Sequence, residues 1–298
     1  MSPRRLLLIV NPQARHGETG KLVPVIEKLL ARAEHDTALT THVGHATEIA
    51  AAAEGYDVVV AVGGDGTVHE VLNGLMRRPP DDRPALGVIP TGSGNDTRRT
   101  LGIPDDVTDA SLALISGVTR RFDIGVCNGI YFNNSFAAGL DARVTAKAIE
   151  YKATTRRSGL WLYLTALLHV LFNELYPHHV RVSWDGAEPV AHELLIIAAT
   201  IGPTYGGGFK IAPDAVPDDG LLEVCRIDPL SLPQALMRLP FVIAGAHTGM
   251  RPVHMARHRS LTIDSDEPMP AQIDGEVLID RRFEVEILPA GVECVVPR

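Results

Sequence analysis

The residues best suited to chemistry in this 298-residue chain are Gly63-Gly64-Asp65-Gly66-Thr67. An apolar run, residues 58–62, precedes them and reads as a buried strand. Val68, Val71, Leu72 and Leu75 follow, spaced for one face of a helix. Glycines between a strand and a helix start let backbone N–H groups approach phosphates closely, and the helix terminus adds partial positive charge. A carboxylate in such a turn does not bind phosphate, because two anions repel. It suits Mg²⁺ or a hydroxyl beside the phosphates. The alternative is a glycine-rich turn that holds no ligand. No G-x-x-x-x-G-K-[ST] loop occurs in the chain, and the third glycine of the dinucleotide fingerprint is missing.

The elements that would position this turn form an alternating series. Residues 6–10 read as a strand ending at Asn11-Pro12, and residues 21–33 as a helix with Leu22, Val25, Ile26, Leu29 and Leu30 on one face. Residues 37–41 are a second strand, 45–54 an alanine-rich helix, and 85–89 a fourth strand. That fourth strand ends in a second glycine-rich turn, Pro90-Thr91-Gly92-Ser93-Gly94-Asn95-Asp96, ahead of another helix. Alternating strands and helices predict an α/β domain with a doubly wound parallel sheet. Polar or glycine-rich turns close all four strands, at 11–15, 40–41, 63–67 and 91–96. Ligands of open α/β sheets bind at that edge, so four converging loops describe a nucleotide site. Reading them only as turns explains the glycines but not the gathering of Asp65, Ser93, Asn95 and Asp96.

The pattern changes after Asp123. Strands are predicted at 121–127 and 130–136 around the hairpin signal Asn128-Gly129. Helices follow at 142–153 and 160–175. Further strands lie at 180–184, 193–201, 221–227, 258–263, 271–273, 283–287 and 291–296. A helix at 233–246 is expected to kink or break at Pro240. Mostly antiparallel strands predict a β-sandwich second domain. The expected domains are 1–121 and 122–298, with the last strand a candidate to return to the first.

Composition narrows the class. The chain is 45% hydrophobic and 21% charged, enough to bury two cores. A net charge of −8 argues against a general nucleic-acid binder. Cys127, Cys225 and Cys294 are scattered, with no disulfide framework or zinc spacing, which points to a reducing compartment. Five apolar residues before Asn11 are too few for a signal-peptide core, and the 160–172 stretch is shorter than the roughly 20 residues that span a bilayer. A cytoplasmic protein, touching membrane at its surface at most, is expected.

Taken in order, the motifs resemble the bacterial diacylglycerol-kinase-like lipid kinases, whose fold is shared with sphingosine kinases and more distantly with NAD kinases and phosphofructokinases. The carriers are Asn11-Pro12, Gly63-Gly64-Asp65-Gly66-Thr67, Pro90-Thr91-Gly92-Ser93-Gly94-Asn95-Asp96, Gly206-Gly207-Gly208-Phe209, Pro213-Asp214-Ala215, Asp218-Asp219-Gly220 and Asp274-Gly275-Glu276. They cover nearly the whole chain. The resemblance implies transfer of the γ-phosphoryl of ATP, with Mg²⁺, to the hydroxyl of diacylglycerol or a related lipid, giving phosphatidic acid-type products. It implies nucleotide contacts at Asn11, Pro12, Gln13, Ala14, Arg15, Thr40, Gly63, Gly64, Asp65, Gly66, Thr67, Val68, His69, Glu70 and Ser93. Asp65 would help to hold the catalytic magnesium, with Asp96 and Asp123 nearby, and Glu276 would be the general base. Asp219 and the backbone carbonyls of Val216 and Leu221 would hold a second, structural magnesium. The chain departs from the family at His69, where Asn is common, and in a first loop without the usual Ser/Gly richness.

Phosphoryl transfer is mostly positioning and charge neutralisation. The chain shows no conventional lysine cradle, so backbone N–H groups and Mg²⁺ must carry the phosphate charge. The alcohol acceptor must lose a proton, which is work for a carboxylate such as Glu276. By itself Asp274-Gly275-Glu276 reads as an exposed hairpin turn; the resemblance assigns it the base. Lys147, Lys152, Arg156 and Arg157 precede the apolar 160–172 stretch and could meet anionic headgroups, the alternative being a buried helix packed on the sandwich. His254 with His258, and His178 with His179, lack a third metal ligand, and Cys127 and Cys225 read as packing residues. Two other functions compete. An NAD kinase-like enzyme shares the G-G-D-G element, but Asn95-Asp96 and Asp218-Asp219-Gly220 argue against it. A catalytically inactive lipid- or nucleotide-binding protein is opposed by the presence of Asp65 and Glu276. A lipid substrate at the membrane surface is the expected partner. Peripheral membrane contact and a homodimer are among the expectations; nucleic acid is not.

Overall fold

A computed structural model describes residues 4–155 and 159–298. Arg156 and Arg157 of the basic segment lie outside the described residues. The chain forms two compact units, Met1–Phe122 with Ala290–Arg298, and Asp123–Pro289.

The first unit runs β1 (Arg5–Val10), α1 (Glu18–Leu29), β2 (Glu34–Leu39), α2 (His45–Ala51), β3 (Val58–Gly63), α3 (Asp65–Met76), β4 (Ala85–Pro90), α4 (Asp96–Leu101) and α5 (Val107–Ser116). Then β5 (Val118–Cys127) carries the chain onward. The strands lie in the order β4-β3-β1-β2, all parallel. β3 and β4 are buried throughout, as central parallel strands covered on both faces must be. Leu6, Leu8, Val58, Val60, Val62 and Ile89 form the core with Ile26 and Leu30 from the α1 side. β2 starts earlier than the expected 37–41, because an edge strand of sequence Glu-His-Asp-Thr-Ala-Leu has little apolar signal. α1 starts at Glu18, after the left-handed Gly17, and passes through Pro24 unbroken. Beyond Asp96 there are two helices. Left-handed Gly102 ends α4, and the Asp106 carboxylate starts α5 by accepting the Thr108 and Asp109 N–H groups at 2.8 and 3.2 Å.

The second unit contains β6 (Ile130–Phe132), β7 (Ser135–Gly139), α6 (Leu140–Thr154), α7 (Gly159–Asn173), β8 (His178–Trp184), β9 (Val190–Leu194) and β10 (Ile196–Thr200). It continues with β11 (Leu222–Ile227), α8 (Leu232–Ala244), β12 (Val253–His258), β13 (Ser260–Ile273) and most of β14 (Glu276–Val296). Among the described residues its strands pair antiparallel, in the order β12-β11-β10-β7-β13-β14, with β8 and β9 branching from β13. Phe136 and Phe283 meet at 5.6 Å between ring centroids in its core. Several strand expectations need correction. The 193–201 run is two strands split at Leu195, β12 lies where no strand is expected before His258, and the later short runs are pieces of two long strands. In β13 the pairing register slips between Asp264 and Met269, which accommodates Pro268, while Pro270 pairs in register with Ile279. Pro240 does not break α8: the helix starts from a reciprocal Ser231–Gln234 capping box and ends at left-handed Gly245. Val144 and Ala148 of α6 pack with Leu162, Ala166 and Val170 of α7. Among the described residues no helix is long and apolar enough to cross a membrane.

Candidate active site

In the first unit the parallel registers Val10↔Val62 and Gly63↔Pro90 bring the ends of β1, β3 and β4 level. The two glycine-rich turns then touch backbone to backbone. A Cβ on Gly92 would fall 2.4 Å from the Gly64 Cα, and one on Gly63 would fall 2.2 Å from Thr67 Oγ1. Glycine is required there by proximity. The Thr91 N–H donates to the Gly63 carbonyl at 2.8 Å, and the Thr91 hydroxyl accepts from the buried Thr19 hydroxyl at 2.8 Å. The Asn11 N–H donates to the Val62 carbonyl at 3.1 Å, while its Oδ1 accepts the Gln13 N–H at 3.0 Å.

Asp65 opens α3, and its Oδ1 accepts the Thr97 N–H at 3.1 Å, tying the start of α3 to α4. Asn95 is left-handed, with φ of 52°; its Nδ2 donates to the Gly92 carbonyl, and its buried Oδ1 has no partner among the described residues. Asp96 is buried and paired with Arg99 at 2.8 Å, and Arg99 also donates to the Gly94 carbonyl at 2.7 Å. Asn11, Gly63, Gly64, Asp65, Gly92, Asn95 and Asp96 thus share one end of the parallel sheet, with the exposed Ser93 in the same turn. Other residues expected at the nucleotide have different surroundings. Val68 and His69 are buried. The Glu70 carboxylate accepts the Gly44 and Ala46 N–H groups at 3.0 and 3.1 Å, fastening the first turn of α2 to α3. Thr40, by contrast, stays at that sheet end: it follows β2, and its N–H donates to the Val10 carbonyl at 2.9 Å. Arg15 is exposed, with φ of 52°.

The second unit holds Glu276 just after a tight hairpin turn. Asp274 and Gly275 have φ of 48° and 94°, the two left-handed positions of a type I′ turn, and Ile273 pairs with Glu276. The turn is more than a solvated connection. The Asp274 carboxylate accepts N–H groups of Asn133, Asn134 and Ser135 at 2.9, 3.1 and 2.9 Å. Glu276 itself is exposed. Behind the turn, buried Gln272 accepts the Gly275 N–H on Oε1 at 2.8 Å and donates from Nε2 to Ser135 Oγ at 3.3 Å. The sequence hid this link, because Gln272 lies on β13 and Ser135 on β7. Buried Asp123 accepts the Gly220 N–H at 2.7 Å and donates its own N–H to the Pro217 carbonyl at 2.9 Å, so it anchors the Asp219 loop. Asp219 Oδ1 accepts the Leu221 N–H at 3.0 Å, and Val216 is exposed.

The donor chemistry of both loops fits a hard cation: carboxylate oxygens of Asp65 and Asp96 in one, and Asp219 with neighbouring carbonyls in the other. Among the described residues no three His, Cys, Asp or Glu side chains converge. The histidines have other partners: His254 meets Asp228 at 2.8 Å, His258 meets Asp185 at 2.9 Å, and His178 accepts from Arg143 at 2.7 Å. Burial pushes the Cys127 and Cys225 thiols up to about 12, which leaves them protonated.

Comparison with known proteins agrees with these motifs. The diacylglycerol kinase catalytic domain matches residues 5–127, and the YegS C-terminal NAD kinase beta sandwich-like domain matches residues 134–296. The diacylglycerol kinase of Bacillus subtilis (strain 168) is 33% identical over 278 residues, 92% of this chain and 90% of that protein. A YegS-like candidate lipid kinase of Pectobacterium atrosepticum is 33% identical over 246 residues, 81% of this chain and 78% of that one. A crystal structure of a candidate diacylglycerol kinase from Bacillus anthracis superimposes with a TM-score of 0.80 at 25% identity, covering 99% of this chain and 98% of the other. The chain belongs to the diacylglycerol kinase family of lipid kinases.

Proposed function

We propose that this lipid kinase transfers the γ-phosphoryl group of ATP to the free hydroxyl of diacylglycerol or a related glycerolipid, giving a phosphatidic acid-type product. The observation that carries the reading is the contact of the Gly64 and Gly92 backbones beside the Asp65 carboxylate. Two glycine-rich turns at the C-terminal ends of parallel strands suit a polyphosphate held by N–H groups. Asn11, Thr40 and Ser93 line the same edge and would contact the nucleotide. Asp65, with Asp96, would hold a magnesium ion, which when bound neutralises phosphate charge during transfer. Glu276 is the base that accepts the proton of the lipid hydroxyl. Asp219 with the Val216 and Leu221 carbonyls would hold a second cation that stiffens the loop anchored by Asp123.

The acceptor enters from a bilayer. On α7, Leu162, Ala166 and Val170 are core, whereas Trp161 and Phe172 are 71% and 61% exposed. These aromatics, with the exposed Lys152 of α6, support peripheral contact with an anionic membrane, whereas Lys147 is ion-paired with Glu150 at 2.6 Å. Vesicle co-sedimentation tests it: a Trp161→Ala, Phe172→Ala protein is expected to lose binding to anionic vesicles, and unchanged binding refutes the contact.

The decisive assay offers γ-labelled ATP with diacylglycerol, monoacylglycerol, a polyprenol, a sphingoid base and NAD, and identifies the product by mass. Phosphatidic acid is expected. A phosphorylated NAD, or no transfer to any lipid in the presence of Mg²⁺, overturns the reading.

A further inference from the structure

The loop after β2 carries two aromatic rings that take no part in the glycine-rich turns. His42 and His45 stack with ring centroids 4.7 Å apart and planes within 9° of parallel. This is an offset stack, and polar groups hold both rings in it. The Thr41 N–H donates to His45 Nδ1 at 3.1 Å. The Thr41 hydroxyl lies 3.0 Å from His42 Nδ1 and 3.1 Å from His45 Nδ1. The His45 N–H donates to the His42 carbonyl at 3.3 Å. A ring nitrogen that accepts an N–H carries no proton, so the His45 imidazole is neutral in this arrangement and does not repel its neighbour. The loop is also fastened from below. Glu70 accepts the Gly44 and Ala46 N–H groups, and the Thr47 hydroxyl donates to the Glu70 carbonyl at 2.9 Å. Yet the His42 side chain is 57% exposed although one of its faces rests on His45. The Glu48 carboxylate, 3.9 Å from His42 Nε2, is too far away for a hydrogen bond. A ring that is held still and left open on one face is a stacking surface.

Its place in the sheet says what would stack there. The Thr40 N–H bond to the Val10 carbonyl keeps the loop at the sheet end where Asn11 follows β1. The strand order β4-β3-β1-β2 sets the glycine turns of β3 and β4 on one side and the ring pair, after the edge strand β2, on the other. Two strand spacings separate β3 from β2, about 10 Å. An extended nucleoside triphosphate bridges that span from its phosphates to its base. Stacking on an aromatic side chain uses the π-face of a base and not its hydrogen-bond pattern, and a purine offers a larger face than a pyrimidine.

We propose that His42, backed by His45, is the platform on which the base of the nucleotide donor stacks, so that the enzyme selects purine over pyrimidine triphosphates. The proposal rests on reading this sheet edge as the nucleotide site.

The test measures equilibrium binding of ATP, CTP and inorganic tripolyphosphate, each with Mg²⁺, to wild type, His42→Ala, His42→Phe and Gly92→Ala, with thermal midpoints. Binding needs no lipid, so the result does not depend on the acceptor. Wild type should bind ATP more tightly than CTP. His42→Ala is expected to weaken ATP binding about 5- to 100-fold and CTP binding less, which narrows the preference. Tripolyphosphate, which has no base, should bind His42→Ala as it binds wild type, and the midpoint should not move because the ring is exposed. His42→Phe keeps a ring without its basic nitrogens and should restore ATP binding. No purine preference in wild type, wild-type ATP affinity in His42→Ala, or no restoration in His42→Phe overturns the proposal. So does an equal loss of ATP and tripolyphosphate in His42→Ala, which would make His42 a phosphate contact. Gly92→Ala separates the two readings, since it should weaken ATP and tripolyphosphate together. If it does so while His42→Ala binds ATP normally, only the platform fails. If neither variant weakens any ligand, this sheet edge is not the nucleotide site and both readings fall.

Discussion

Asp65-Gly66 and Asp274-Gly275 are the same dipeptide placed after a strand, and the fold uses them in opposite ways. Asp65 begins a helix and, among the described residues, accepts one backbone N–H, that of Thr97. Asp274 is left-handed and accepts three. A carboxylate with three amide donors is committed to architecture, whereas one with a single donor keeps acceptor capacity for a cation. An acidic residue in a glycine turn is therefore assigned by what its oxygens already hold, and not by the motif. The exposed base candidate is then Glu276, two residues beyond the committed carboxylate.

This contrast fails if the two aspartates respond alike. Asp65→Ala is expected to lower kcat by about 1,000-fold, measured as label transfer from ATP to diacylglycerol, with folding retained. Glu276→Ala should follow at about 100- to 1,000-fold with unchanged KM for ATP; full activity there would remove the base. Asp274→Ala should act first on folding, costing about 3 kcal/mol in urea unfolding because three N–H groups lose a charged acceptor. Should Asp274→Ala be fully stable, the architectural reading of that carboxylate is wrong. Gly92→Ala forces the two turns apart, since its Cβ would meet the Gly64 Cα at 2.4 Å, and should raise KM for ATP while costing about 1–3 kcal/mol. Gly275→Ala is the mildest: nothing lies within 4 Å of the added carbon, so only the left-handed backbone resists, by about 1 kcal/mol.

The same contrast explains what is legible in the sequence. β3 and β4, buried on both faces, are continuous apolar runs, and the glycine turns after them stand out in any reading. The edge strand β2 and the long β13, with its acidic and proline residues, carry little apolar periodicity, so their ends are hard to place. Pro240 suggests a break because the residue type is visible and the capping of α8 is not. At the site, the phosphate turns and Glu276 can be named from motifs. The capture of Gly44 and Ala46 by Glu70 joins residues 26 and 24 positions apart, and the bond from Gln272 to Ser135 joins β13 to β7. No local pattern announces such long-range partners.

The segment Ala290–Arg298 belongs with the first unit, where Cys294 pairs with Leu86 and the Gly291 carbonyl accepts from Arg83 at 2.9 Å. A ribosome makes that segment only after every residue of Asp123–Pro289. The lobe begun first is therefore completed last, and during synthesis β4 waits with an unpaired edge while the later lobe can already close. Nascent chains halted before residue 290 should show a protease-resistant 123–289 core and a sensitive amino-terminal half.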